Sequence, residues 1–99
     1  MATKQKTIIV TGASQGIGAA IGNLFLERGY NVVGNSRNIS HKNELQRSDN
    51  LALVDGDIGL ASTAEIIVGT AVKRFGSVDA LVNNAGIFFA KPFTEYTLE

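Results

Sequence analysis

The chain has 99 residues and a mass of 10.5 kDa, which allows at most one domain. Nine basic and nine acidic residues balance, and this excludes the positive surface of a general nucleic-acid or membrane binder. With no cysteine and one histidine, His41, disulfides and thiolate metal sites are excluded and no metal site is expected. The apolar run near the N-terminus is too short for a signal sequence or a membrane span, so we expect a soluble, cytoplasmic protein.

Short apolar runs alternate with helical patterns along the chain. Strands are expected at 7–10, 31–36, from 51 within 51–57, and at 78–84. The polar segment 37–50 is expected to hold one short helix. The order βαβαβαβ predicts an α/β fold of the Rossmann type, a doubly wound parallel sheet covered on both faces. Right-handed crossovers place the strands in the order 3-2-1-4.

Two longer helices are predicted from apolar residues at helical spacing. The first begins near Ser14 to Gly16 and has Gly29 as its C-cap; its predicted buried stripe is Ile17, Ala20, Ile21, Leu24, Phe25 and Arg28. The second ends at Gly76, and its predicted buried stripe is Ala64, Val68, Ala71, Val72 and Phe75. Ser62 and Glu65 have the spacing of a capping box, although a slightly earlier start also fits the pattern.

The stretch TGASQGIG (11–18) lies where the first strand gives way to the first helix. Its glycines either make only a tight turn or clear space for a ligand that touches the backbone. Gly12 can adopt turn dihedrals that other residues resist, Gly16 lets a ligand approach the backbone, and Gly18 and Gly22 let the helix pack closely. A helix N-terminus at the carboxyl edge of a parallel sheet suits a pyrophosphate. The spacing is T-G-x-x-x-G-x-G, which is neither G-x-G-x-x-G nor a P-loop.

With its other motifs, the sequence resembles the short-chain dehydrogenase/reductase family over essentially its whole length. TGASQGIG matches the cofactor motif of that family, DGDI (55–58) the segment beside the adenine, and NNAG (83–86) the motif after the fourth strand. The resemblance implies an oxidoreductase with a nicotinamide cofactor and a small carbonyl or alcohol substrate. It also implies a homo-oligomer, a tetramer or dimer, for the full-length enzyme.

The resemblance also implies which residues bind the cofactor. Asp57 would accept a hydrogen bond from the adenine amino group with Ile58 beside the ring, although an exposed turn carboxylate is the alternative for Asp57. Thr11 would tie the first strand to the fourth. The residues that would line the pyrophosphate and nearby ribose are Gly12, Ser14, Gln15, Gly16, Ile17 and Gly18, and those that would line the cofactor riboses and brace the sheet are Asn83, Asn84, Ala85 and Gly86.

The end of the second strand indicates which nicotinamide cofactor is used. An acidic residue about 20 residues past the glycines holds the ribose 2′-hydroxyl of NAD, but Ser36 and Arg37 occupy that place here. Arg37 can hold a 2′-phosphate through charge-assisted hydrogen bonds, and Asn35, Ser36 and Asn38 can add donors. The sequence therefore predicts NADP(H), with a solvated loop charge as the alternative for Arg37.

The catalytic residues of the family have no counterpart in this sequence. The family uses a tyrosine in Y-x-x-x-K together with a serine, and neither Tyr30 nor Tyr96 fits that pattern. We therefore expect residues 1–99 to be the N-terminal cofactor-binding portion of one larger domain, inactive alone. The alternatives are a complete non-catalytic nucleotide-binding module and an inactive truncated product. Phe88, Phe89 and Phe93 either begin a substrate pocket or belong to the core.

Overall fold

The computed structural model describes residues 5–84, which form a four-stranded parallel sheet with two helices. The strands stand in the order β3-β2-β1-β4, and this confirms the α/β fold and the strand order that the sequence predicts. The elements in chain order are β1 (Thr7–Thr11), α1 (Gly16–Glu27), β2 (Asn31–Ser36), β3 (Leu51–Asp55), α2 (Ala61–Phe75) and β4 (Ala80–Asn83).

The sheet is covered on both faces because successive side chains of each strand point to opposite sides. On one face, Ile9 and Val33 pack with Ile67 and Ala71 of α2. On the other face, a second core includes Ile8, Val10 and Val32, with Ile21 and Phe25 of α1 packed against it. The strands β1 and β2 are buried almost throughout, so their carboxyl ends are held in fixed positions.

Helix α1 buries only part of the face that its apolar spacing predicts: Ile21 and Phe25 pack against the core, but Ala20 and Arg28 are exposed. Its buried residues are Gly18, Ala19 and Gly22, whereas Ile17 is 71% exposed and Leu24 is 45% exposed. Small side chains let the helix axis approach its neighbours closely, and this outweighs the burial of Ile17 and Leu24. The C-cap is Arg28 rather than the predicted Gly29; Gly29 is the next residue and has the left-handed φ of 85° that follows many helices.

The prediction of a short helix within 37–50 is wrong, because this segment consists of turns and irregular backbone. Its polar side chains bond the local backbone instead: the Asn43 amide donates to the Ile39 carbonyl at 2.8 Å and accepts from the Leu45 N–H at 2.9 Å. Such bonds compete with helical ones. Ile39 is fully buried, so the segment is nonetheless anchored to the core.

Helix α2 begins at Ala61, and the predicted capping box is not formed. Its N-cap is Leu60 without any side-chain hydrogen bond, so Ser62 already lies inside the helix. The buried residues are Thr63, Ile67 and Ala71, whereas Ala64, Val68 and Val72 of the predicted stripe are exposed. The predicted end is confirmed by Gly76, a left-handed C-cap with φ of 89° that donates to the carbonyls of Ala71 and Val72.

Candidate functional site

The predicted motifs converge on one edge of the sheet, at the carboxyl ends of the strands. Thr11 pairs in register with Asn35 on one side and with Asn83 on the other. Ser36 pairs with Asp55 in the next strand. The strand order reverses at β1, which lies between β2 and β4, and ligands of open α/β sheets bind in the crevice at such a switch point.

The glycine-rich turn needs its glycines for separate reasons. Gly12 and Gly16 have φ of 62° and 61°, in the left-handed region that disfavours other residues. A Cβ on Gly18 would lie 1.9 Å from the Gly12 carbonyl oxygen, so the helix starts in backbone contact with the turn. Beside Gly16, nothing lies within 4 Å of the place of a Cβ. A Cβ on Gly22 would lie 2.7 Å from Leu45 Cδ2 of the 37–50 segment and 3.9 Å from Val32 Cγ1 of β2, so Gly22 lets this segment pack against the helix.

Thr11 joins the glycine turn to the end of β4. Its buried hydroxyl donates to Asn83 Oδ1 at 2.9 Å and accepts from the Asn84 N–H at 3.0 Å. The Asn84 side-chain amide donates to the Gly12 carbonyl at 3.3 Å. The expected tie between the first and fourth strands is therefore present, and it holds the two motifs in one register.

The N-terminus of α1 presents backbone N–H groups without partners in the part of the chain that the structure describes. Its N-cap, Gln15, makes no side-chain capping bond, and the first turn holds no acidic residue. Within residues 5–84, the backbone N–H groups of Ile17 and Gly18 have no hydrogen-bond acceptor. Unpaired N–H groups and the helix dipole together favour an anion at this position.

Glu44 is a functional candidate that the sequence analysis missed. Its carboxylate accepts a hydrogen bond from the Gly16 N–H at 3.1 Å, and its own N–H donates to the Ser14 carbonyl at 2.8 Å. Glu44 lies in a polar segment 28 residues from Gly16, and no motif marks it.

Arg37 and Asp57, predicted to hold different parts of the cofactor, lie together. Arg37 Nη2 is 3.6 Å from Asp57 Oδ2, and the two side chains are 80% and 39% exposed. Asp57 Oδ1 also accepts from the Gly59 N–H at 2.9 Å. Ile58 is half-buried against the core beneath α2.

Asn35, Ser36 and Asn38 differ in what they can offer at the end of β2. Asn35 is buried, and its amide donates to the carbonyls of Val54 and Gly56 at 2.9 and 3.2 Å. It is therefore engaged inside the sheet, and its predicted role as a phosphate donor is wrong. Ser36 is half-buried and Asn38 is exposed, and both remain accessible to a ligand.

The 37–50 segment is tied to the end of β3 by Ser40. The Ser40 N–H donates to Asp55 Oδ1 at 2.8 Å, and its hydroxyl donates to Asp55 Oδ2. The Ser40 hydroxyl, followed by the Ser40 N–H, lowers the pKa of Asp55 below its ordinary value. The carboxylate thus stays ionised and fixes the turn that presents Arg37.

Several sequence predictions concern residues outside the described range. Ala85 and Gly86 of the NNAG motif lie there, as do Phe88, Phe89 and Phe93. Between residues 5 and 84, no group of three or more His, Cys, Asp or Glu side chains could hold a metal ion. The same residues contain no helix with the length and apolar character needed to cross a bilayer.

A parallel sheet with a glycine turn and a helix N-terminus at its switch point defines a dinucleotide-binding α/β protein. The chain belongs to the short chain dehydrogenase family, whose model matches residues 6–99. Membership implies a nicotinamide cofactor, either NAD or NADP.

Curated relatives support this assignment. The chain is 40% identical over 86 residues to an uncharacterized oxidoreductase of Mycobacterium bovis, covering 83% of this chain and 35% of that protein. It is 36% identical over 102 residues to 3beta-hydroxysteroid dehydrogenase 1 of Eggerthella lenta, covering 97% of this chain and 39% of that protein. The chain thus spans between 35% and 39% of the length of these two relatives.

Solved structures show the same arrangement. A glucose/ribitol dehydrogenase of this family from Brucella melitensis superposes with a TM-score of 0.73 at 36% identity, covering 96% of this chain and 43% of that one. The apo-form of glucose dehydrogenase from Caenorhabditis elegans superposes with a TM-score of 0.70 at 32% identity, covering 84% of this chain and 38% of that one.

Proposed function

We propose that the chain is the cofactor-binding portion of an NADP(H)-dependent short-chain oxidoreductase. The intact protein would move a hydride between the nicotinamide and a small carbonyl or secondary alcohol. Residues 1–99 would form one part of a single larger domain, with the catalytic residues elsewhere in that domain. The observation that carries the proposal is the glycine turn at the switch point, where Gly18 lies in backbone contact with Gly12.

The residues of the turn fit a pyrophosphate. The N–H groups of Ile17 and Gly18 have no acceptor within residues 5–84, and a pyrophosphate supplies the acceptors that they need. Nothing lies within 4 Å of the place of a Cβ on Gly16, so phosphate oxygens can approach the backbone on that side. The half-buried Ser14 adds a hydroxyl, while Gly12 and Gln15 would line the adjoining ribose.

The far end of the cofactor would lie along Ser36, Arg37 and Asp57. An exposed ion pair such as that between Arg37 and Asp57 contributes about 0–1 kcal/mol. A charge-assisted hydrogen bond to a phosphate contributes about 1.5–3 kcal/mol. Arg37 would therefore turn from Asp57 to a 2′-phosphate, with Ser36 and Asn38 as further donors. Asp57 would then be available to the adenine amino group, with Ile58 beside the ring.

The cofactor supplies the hydride, and the residues of this chain bind and orient it. The bond between Thr11 and Asn83 fixes the end of β4 against the glycine turn, so a nicotinamide ribose lying between the two motifs would meet a rigid surface. Asn83, Asn84, Ala85 and Gly86 would line that ribose. The names of the two dehydrogenase structures and the steroid dehydrogenase support a carbonyl or secondary alcohol as substrate.

The cofactor assignment is tested with Arg37→Asp in the intact protein. We expect NADPH to bind about ten- to a hundredfold more weakly while NADH binding changes little, because a charge-assisted bond contributes about 1.5–3 kcal/mol. Arg47→Asp is the matched control, since Arg47 is also exposed and lies in the same segment. Dissociation constants measured by fluorescence titration give the comparison. An unchanged ratio of NADPH to NADH affinity in Arg37→Asp would contradict the assignment.

A further inference from the structure

The carboxylate of Glu44 stands where a cofactor phosphate would bind. We propose that Glu44 is an internal counter-ion that occupies the N-terminus of α1 in the free protein and that the cofactor pyrophosphate displaces. The inference rests on the proposed function, because it concerns binding of a dinucleotide at the same turn. It adds an affinity-setting residue that lies outside all three sequence motifs.

The backbone of Glu44 is held against α1 at both of its polar groups. Its N–H donates to the Ser14 carbonyl at 2.8 Å, and its carbonyl accepts from the Asn23 amide at 3.0 Å. Asn23 Oδ1 in turn accepts from the Gln46 N–H at 2.8 Å. The half-buried Leu45 between them packs into the core on the α1 side of the sheet. The backbone on both sides of Leu45 is thus bonded to α1 and to the turn before it, and the Glu44 carboxylate reaches the Gly16 N–H.

The side chain of Glu44 accepts a hydrogen bond from the N-terminus of α1, where no side chain of the helix itself does so. The first turn of α1 contains no acidic residue and its N-cap makes no side-chain bond. Glu44 Oε1 accepts from the Gly16 N–H at 3.1 Å, and a negative charge at this end of a helix is favourable. The carboxylate is therefore a stabilising partner of the free protein rather than a solvated loop charge.

A pyrophosphate would compete with this carboxylate. It brings negative charge to the N–H groups that follow Gly16 in the same turn, so an unmoved Glu44 would repel it over a few ångströms. Because Glu44 is exposed, its side chain can rotate into solvent while the backbone bonds to Ser14 and Asn23 persist. Cofactor binding then costs the loss of one charge-assisted hydrogen bond, and this cost is the same for NADH and NADPH.

Glu44→Gln in the intact protein tests the proposal, because glutamine keeps the acceptor and removes the charge. We expect both NADH and NADPH to bind about three- to thirtyfold more tightly, given the usual strength of charge interactions at a helix terminus. The thermal midpoint of the free protein should fall, since its helix terminus loses the carboxylate. Glu65→Gln is the matched control, because Glu65 is exposed on α2, away from the turn, and should change neither quantity.

Three results would overturn the proposal: unchanged affinities in Glu44→Gln, weaker binding in that variant, or a gain confined to NADPH. Weaker binding would mean that Glu44 is a ligand of the cofactor, and a gain confined to NADPH would place it at the 2′-phosphate. Glu44→Ala removes the acceptor as well and should tighten binding in the same direction. If the unmodified protein bound neither dinucleotide, the proposed function itself would fail, and this outcome is separate from unchanged affinities in the variant.

Discussion

The substitution Gly18→Ala tests the glycine turn at its tightest point. The added Cβ would lie 1.9 Å from the Gly12 carbonyl oxygen and 2.8 Å from the Asn84 side-chain nitrogen. The first of these is a backbone atom, so no rotation of a flexible side chain relieves the contact. The turn and the start of α1 must instead move apart by about 1 Å or more.

The expected loss of stability follows from two opposing effects. Overpacking of this kind costs about 1–3 kcal/mol, and alanine regains up to about 1 kcal/mol over glycine in a helix. We expect a net loss of about 1–2 kcal/mol in the free energy of unfolding. Cofactor affinity should fall by at least about tenfold, because a shift of about 1 Å in the turn misplaces its N–H donors.

Gly69→Ala is the matched control, because it makes the same chemical change in a helix. Gly69 lies within α2, and nothing stands within 4 Å of its Cβ position. This variant should gain about 0.5–1 kcal/mol and bind the cofactor as the unmodified protein does. Urea unfolding gives both free energies. If Gly18→Ala were as stable as Gly69→Ala and bound NADPH normally, the close contact with Gly12 would be refuted.

Three further substitutions test the framework around the site. Thr11→Val removes the hydroxyl that joins Asn83 and Asn84 and should cost about 1–3 kcal/mol in urea unfolding; a cost near zero would show that the tie is not stabilising. Ser40→Ala should raise the pKa of Asp55 towards its ordinary value of 3.8, measured by carboxyl ¹³C NMR. Because folding lowers that pKa, Asp55 contributes to the free energy of unfolding above its unfolded pKa, and this contribution is lost as the pH falls through its folded pKa. The unmodified protein should therefore lose more stability in acid than Ser40→Ala does. Equal losses in the two proteins would contradict this. Gly76→Ala places a Cβ at φ of 89° and should cost about 1–2 kcal/mol in urea unfolding, whereas an unchanged stability would argue against the left-handed cap.

The fold and the location of the site could be predicted because both depend on local patterns. Apolar runs bounded by glycine indicate buried parallel strands, and strand order follows from the handedness of the crossovers. Because all the strands are parallel, their carboxyl ends lie along the same edge of the sheet. This brings Gly12, Arg37, Asp57 and Asn84 to one edge.

The buried faces of the helices could be predicted only in part from apolar spacing, since Ile21, Phe25 and Ala71 do face the core. In α1 the pattern favours Ile17 and Leu24, yet Gly18 and Gly22 are buried. A glycine contributes no apolar area, so a count of apolar residues cannot register the close approach that it permits. In α2 the buried Thr63 is a polar residue, so a count of apolar residues also misses it. Its side chain packs beside Gly56, and this contact explains why it faces inward.

The role of Glu44 could not be predicted because it depends on long-range geometry. Its bond to Gly16 spans 28 residues, which include helix α1 and strand β2. The path of the 37–50 segment is set by the bonds of Ser40 to Asp55 and of Asn23 to Glu44. Polar side chains in such a segment carry no periodic signal, so the sequence does not distinguish the short helix that we predicted from the turns that the structure has.

The most direct test of the central claim is the crystal structure of the intact protein with NADPH. We expect the pyrophosphate oxygens within about 3 Å of the backbone nitrogens of Ile17 and Gly18, with the Glu44 carboxylate turned away from Gly16. A pyrophosphate bound elsewhere, or a dinucleotide that does not bind this edge of the sheet at all, would contradict the account.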